Sequence, residues 1–192
     1  MLDPALLVRA YREGLFPMAV EDGEIGWFSP DPRGILPLDA FHVSRRLARV
    51  IRQGAFTVTT DRDFVGVMRA CADRPDEEGT WINHEIVESY AALHRLGLAH
   101  SVEVWREGAL AGGLYGVHLG GAFFGESMFH TVTDASKVAL AALVDRLRRR
   151  GFRLLDIQWV TPHLATFGAI EIPRRDYLQQ LEAALARDCR WD

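Results

Sequence analysis

The chain has 192 residues, 48% of them hydrophobic and 25% charged, the composition of an ordinary globular protein. At this length folding buries roughly 70% of the unfolded surface, so one core with a small extra lobe forms without disulfide or metal staples. A net charge of −4, from 22 basic and 26 acidic side chains, excludes a broadly basic nucleic-acid coat.

Asp3-Pro4 reads as an N-cap and first helical position opening a helix to about Glu13, closed by Gly14. Phe16-Pro17, Ser29-Pro30, Asp31-Pro32 and Leu36-Pro37 then follow closely. Prolines at that density predict a turn-rich lobe without long helices or central strands. Phe16, Trp27, Phe28 and Ile35 give this lobe a core. Ser44 caps a helix to about Gln53, stopped by Gly54. Ala55 to Thr60 reads as a strand, and Asp61 as the cap of a helix to about Ala72. Asp73 to Gly79 is a charged loop, and a helix from about Asn83 to Leu96 stops at Gly97. Residues 100–106, 109–117 and 121–128 form an antiparallel meander, broken at Glu107-Gly108 and Leu119-Gly120. A helix opened by Asp134 or Ser136 runs to Arg150, followed by a strand over Arg153 to Trp159. Helices from about Thr161 to Phe167 and from Pro173 to Arg187 complete the chain. The β-β-β-α-β-α order of the second half matches a GNAT-type acyltransferase core, an analogy of fold. The expected class is α+β: a GNAT-like mixed sheet flanked by helices (residues 43–192) behind a small turn-rich N-terminal lobe (residues 1–42).

Cys71 and Cys189 make no disulfide framework, which points to a reducing compartment. The scattered His and Cys show no metal-ligand spacing, so no metal is expected. Met1-Leu2-Asp3-Pro4 lacks the basic and apolar pattern of a signal peptide. Gly108 to Gly125 is uncharged and long enough to suggest a membrane span. Its glycines, His118 and strand-like alternation argue against one, so the expected location is the cytoplasm.

Arg45, Arg49 and Arg52 are spaced i, i+4, i+7 on one helix face, with no acid on that helix. An uncompensated row suits a phosphate backbone and equally a solvated surface. Arg146 to Arg150 close another helix, where the macrodipole favours cations. Asp156 and Gln158 share one face of a strand whose other residues, Leu155, Ile157 and Trp159, are apolar. Glu126 is a carboxylate among Phe123, Phe124, Met128 and Phe129. Carboxylates in apolar settings are disproportionately functional. Ser127 lacks the G-x-S-x-G context of a nucleophile elbow. A coenzyme-A-binding GNAT enzyme has a glycine-rich loop before the helix that follows its central strand. Here His130 to Lys137 contains no glycine, which argues against acetyl-CoA. Among 22 basic side chains Lys137 is the one lysine, and genomic bias toward arginine accounts for the rest.

Long segments of the chain resemble one family. Tyr11-x-x-Gly14-x-Phe16-Pro17, Trp27-Phe28-Ser29-Pro30-Asp31-Pro32-Arg33 and Gly79-Thr80-Trp81-Ile82 occur in order. Ala99-His100-Ser101-Val102-Glu103-Val104-Trp105, Gly112-Gly113-Leu114-Tyr115-Gly116 and Gly125-Glu126-Ser127-Met128-Phe129 follow. Ala135-Ser136-Lys137, Asp156-x-Gln158 and His163-Leu164-x-x-Phe167-Gly168-Ala169 complete the set. In this order they resemble the leucyl/phenylalanyl-tRNA–protein transferases. The resemblance implies transfer of Leu or Phe from aminoacyl-tRNA to proteins beginning with Arg or Lys, marking them for N-degron proteolysis. It implies no cofactor and no covalent intermediate, and a monomeric enzyme is expected. By the same resemblance Asp156, Gln158 and Glu126 are catalytic or contact substrate. Trp81, Phe123, Met128 and Leu155 surround the aminoacyl side chain, with Leu114 and Met18 beside them. Arg45, Arg49, Arg52 and Lys137 face tRNA. The lobe begins downstream of the family's usual Gly-rich segment, and Met18 and Phe28 stand where many members have tryptophan. The expected chemistry has Asp156 polarising Gln158, which orients the amine, and Glu126 recognising the acceptor's cationic side chain or holding its amine. Asp156→Ala is expected to abolish transfer in a folded protein. A coenzyme-A-dependent GNAT acetyltransferase and a non-catalytic tRNA-binding module are the competing readings.

Overall fold

The computed structural model describes residues 1–73 and 80–192. Most of the charged loop expected over Asp73 to Gly79 lies outside the described residues. Helix α1 (Pro4–Arg12) starts where the Asp3 carboxylate accepts the Ala5 N–H, and it buries Leu7, Ala10 and Tyr11. Strands β1 (Phe16–Ala19) and β2 (Ile25–Phe28) form a hairpin that pairs Phe16 with Phe28 and Met18 with Gly26. The stretch expected to hold no central strand does hold one: β3 (Arg33–Ile35) lies inside the large sheet. It is three residues long and falls between Pro32 and Pro37, so no proline occupies a ladder position.

Ser44 caps α2 (Arg45–Gln53), and Gly54 ends it in the left-handed region. After β4 (Thr57–Thr60), helix α3 (Phe64–Ala72) is capped by Asp63 and not by Asp61. Asp61 is drawn away by tertiary partners, the Ser101 N–H and the His100 ring. Asn83 caps α4 (His84–Arg95). The meander appears as β5 (Ala99–Arg106), β6 (Ala109–Leu119) and β7 (Ala122–His130). It is followed by α5 (Ala135–Arg149), β8 (Leu154–Gln158), α6 (Pro162–Ala165), β9 (Ile170–Ile172) and α7 (Arg174–Leu185). Strand β9 escaped the sequence reading because three residues carry no usable period. The uncharged stretch from Gly108 to Gly125 is β6 and the start of β7. Among the described residues, no helix is long and apolar enough to cross a membrane.

The large sheet has the order β4-β5-β6-β7-β8-β3-β9. Every neighbouring pair is antiparallel except β7 and β8. Helices α1, α3, α4 and α7 bury their apolar residues in one core, and α2 and α5 bury theirs in another. Leu140, Leu143 and Leu147 of α5 are nearly inaccessible, each burial contributing roughly 1.5–3 kcal/mol. This is a GNAT-like mixed sheet flanked by helices. Its parallel pair joins only residues 122–124 to 154–156. Beyond Phe124 and Asp156 the ladder stops, and the fork that opens between the strands holds the site.

Candidate active site

Asp156 sits at the closed end of the fork and is fully buried. Its Oδ1 accepts Arg33 Nε at 2.9 Å and the Gln158 backbone N–H at 2.9 Å. Its Oδ2 accepts Arg33 Nη2 at 2.6 Å and the Tyr177 hydroxyl at 2.8 Å. A carboxylate offers about four lone-pair positions, so these donors saturate it. Arg33 is itself fully buried, donates Nη1 to the Gly14 carbonyl at 2.9 Å, and lies over the rings of Phe16 and Tyr177. Asp156 is therefore a fixed negative charge with no free valence for a moving proton.

That charge holds Gln158 in an unusual backbone. Gln158 has φ +58°, in the left-handed region that non-glycine residues rarely enter. Such strain persists where surrounding structure determines it, often at functional sites. Here the N–H bond to Asp156 fixes the turn. The Gln158 side chain lines the cavity and donates Nε2 to Glu126 Oε1 at 3.4 Å.

Glu126 lies two residues beyond the last ladder pair on β7. Its Oε1 also accepts the Tyr11 hydroxyl at 2.7 Å, and its Oε2 accepts Tyr90 at 3.3 Å. The two tyrosine hydroxyls are hydrogen-bonded to each other. Burial pushes the Glu126 carboxyl up to about 8, against the hydrogen bond from Tyr11 and with the help of the Asp156 charge. Burial and the neighbouring Glu126 raise both tyrosines well above their usual value. At neutral pH most of the Glu126 population carries its proton.

Gln158 and Glu126 open onto a cavity of about 450 Å³, within the range of small-molecule sites. Its walls are mostly apolar: Met18, Leu114, Met128, Leu143, Leu155 and Ile157, with Phe16, Trp81 and Trp159 among the aromatics. The arrangement can seat a medium-sized apolar group and present a polar pair to whatever that group carries.

Comparison with known proteins decides the family. The model described as leucyl/phenylalanyl-tRNA protein transferase matches residues 35–182, and the model of its N-terminal domain matches residues 1–31. The chain belongs to this family. It is 61% identical over 187 residues to the leucyl/phenylalanyl-tRNA–protein transferase of Cereibacter sphaeroides, covering 96% of this chain and 86% of the relative. Identity to the transferase of Ruegeria pomeroyi is 58%, over 96% and 87% of the two chains. For Rubrobacter xylanophilus it is 57%, over 97% of each. Among solved structures, L-PGS from Bacillus licheniformis superimposes with a TM-score of 0.47 at 12% identity, over 79% of this chain and 56% of that one.

Most residues singled out in the sequence of this transferase-family chain converge on the fork. Glu126, Gln158, Trp81, Met128, Leu155, Leu114 and Met18 all line the cavity. Asp156 stands behind it, and its contact to Gln158 runs through the backbone rather than between side chains. Phe123 does not reach the cavity lining: its ring is fully buried and stacks on Trp191 at 5.4 Å. Arg45, Arg49 and Arg52 are exposed on α2 and form no ion pair among the described residues. Lys137 Nζ lies 2.9 Å from Asp134, which also holds Arg46 at 3.0 Å. Asp134 thus ties α2 to the start of α5.

Four residues of the polar network escaped the sequence reading. Tyr11 and Arg33 belong to the family segments, and a lone arginine beside Gly34, Ile35 and Leu36 was a readable signal. Tyr90 and Tyr177 gave none, because their carboxylate partners lie on other elements. Among the described residues, Asp61, His94 and His100 could bring three ligand atoms together. None of them lines the cavity. His100 Nδ1 already meets Asp61 at 2.8 Å and His94 Nδ1 meets the Ala99 carbonyl at 2.8 Å, so the group serves as a tie between β5 and the turn before α3.

Proposed function

We propose that the chain transfers leucine or phenylalanine from aminoacyl-tRNA to the α-amino group of proteins beginning with Arg or Lys, tagging them for N-degron proteolysis. The carrying observation is the apolar cavity whose polar end is the Gln158–Glu126 pair. A branched or aromatic aminoacyl side chain fits its Leu, Ile and Met walls, and the ester then faces the polar pair. The protein acts in the cytoplasm as a monomer.

An aminoacyl ester is already activated, so attack by an amine needs no covalent enzyme intermediate. The α-amine has a pKa of roughly 7.7–8.0 and attacks as the free base. The Gln158 carboxamide oxygen accepts one N–H of that amine and aims its lone pair at the ester carbon. Positioned polar groups of this kind contribute about 10²–10⁴-fold, and holding ester and amine together supplies further rate. The new C–N bond forms as the bond to the tRNA 3′ oxygen breaks, and the proton lost by nitrogen ends on that oxygen. Glu126, poised near the pKa of the amine, holds the amine beside Gln158. Asp156 acts through the Gln158 backbone as a positioning charge. Arg45, Arg49, Arg52 and Lys137 meet the tRNA.

Labelled leucyl-tRNA offered to peptides beginning with Arg, Lys, Asp or Ala tests this reading. Label should enter the Arg and Lys peptides. Label in the Asp peptide alone would keep the reaction and overturn the acceptor, and label in none would overturn the transferase reading.

A further inference from the structure

The cavity has a second polar end that the chemistry above does not use. Past the last ladder pair, Phe124 with Asp156, β7 continues through Glu126 to His130, and β8 continues through Gln158 to α6. Glu126 and Gln158 therefore mark the closed end of the fork. His130 marks its open end, four residues on and about 13 Å along the strand at ~3.3 Å per residue. On the facing side α6 places His163 in the cavity wall, its ring edge-on to Phe167 at 5.2 Å. The first turn of α5 closes the rim: Ser136 Oγ lies 3.4 Å from His130 Nδ1, and Lys137 is held by Asp134.

The two ends are electrically distinct. Glu126 responds to Asp156 and Arg33. Partial burial, then the charges of Lys137 and His130, lower His163, so at neutral pH it is an uncharged imidazole able to donate one N–H. One end thus offers a carboxyl and a carboxamide, and the other offers a lysine ammonium and imidazole donors.

We infer that His163, Lys137 and His130 form the subsite for the phosphodiester on the 5′ side of the tRNA's terminal nucleotide. With the ester at Gln158, the intervening stretch of fork accommodates one nucleoside, and its phosphate falls at the open end. An ammonium point charge beside neutral N–H donors suits a phosphodiester. The same placement sets the direction of entry, because Asp134 links this rim to α2 and its arginine row. This inference rests on the aminoacyl-tRNA reading.

The test compares two donors that share the ester: phenylalanyl-tRNA and 3′-O-phenylalanyl-adenosine, which has no phosphate. The readout is the ratio of kcat/KM for the first to that for the second. His163→Ala and Lys137→Ala should each lower the ratio about tenfold, the effect of one lost charge-assisted hydrogen bond. The loss should sit in KM for the tRNA, with His163→Gln and Lys137→Arg restoring most of it. An unchanged ratio, whether both donors suffer equally or neither does, would overturn the assignment. A change confined to KM for the acceptor peptide would reassign the rim to the acceptor. Absence of transfer by the parent protein from either donor would overturn the underlying reading instead.

Discussion

Arg33 and Asp156, 123 residues apart in sequence, form a two-point ion pair at 2.9 and 2.6 Å with neither side chain exposed. The pair joins β3 to β8 directly behind Gln158. Removing one member of a buried pair leaves the other charge uncompensated, at a cost of about 3–5 kcal/mol. Asp156→Ala should therefore lose stability of that order along with activity, contrary to the sequence-based expectation of a folded, inactive protein. Urea denaturation of Asp156→Ala and Arg33→Ala should show the loss in both. A double replacement by apolar residues should recover much of the stability without recovering transfer.

Gln158 separates backbone from chemistry. Its φ of +58° suits glycine better than any side chain. Gln158→Gly should keep the fold within about 1 kcal/mol. Transfer should fall by about 10²–10⁴-fold, the contribution of a positioned polar group. Thermal melting beside a single-turnover assay checks both halves.

Glu126 gives a signed pH dependence. Its folded pKa of about 8 lies above the ordinary 4.5, so the folded state binds its proton more tightly than the unfolded chain does. Between those two values the unfolded state releases the proton first, and stability falls as pH rises. Glu126→Gln, which has no proton to lose, should be close to the parent in stability near pH 4 and progressively more stable than it toward pH 8. Paired melting curves across that window measure the difference, and a parallel pH dependence in both proteins would contradict the assignment.

The arginine row on α2 predicts a salt effect. Each phosphate contact removed should lower the slope of log binding constant against log salt by about one. Replacing Arg45, Arg49 and Arg52 together by alanine should flatten the slope for tRNA accordingly. Transfer from phenylalanyl-adenosine should suffer less than transfer from the tRNA.

Phe123 belongs to the core rather than to specificity. Its ring is fully buried against Trp191, and the fork wall in front of it is made by other residues. Phe123→Ala should cost about 3–5 kcal/mol of stability. The ratio of leucyl to phenylalanyl transfer should stay unchanged in the same variant.

The sequence by itself determined the helices, because caps such as Asp3, Ser44 and Asn83 and stops such as Gly14 and Gly54 act within a few residues. It determined the meander, the crossover helix and the candidates Glu126 and Gln158, since a polar residue in an apolar strand is visible locally. Only the tertiary structure decided what those candidates touch. Three-residue strands such as β3 and β9 exist because neighbouring strands offer a ladder, not because of their own pattern. Asp61 capped nothing, since His100 and Ser101 competed successfully for its carboxylate. The charge on Asp156, the left-handed turn at Gln158 and the proton on Glu126 all follow from Arg33, Tyr177, Tyr11 and Tyr90. Those residues arrive from distant elements, and burial and hydrogen bonding depend on what arrives, which no local spacing records.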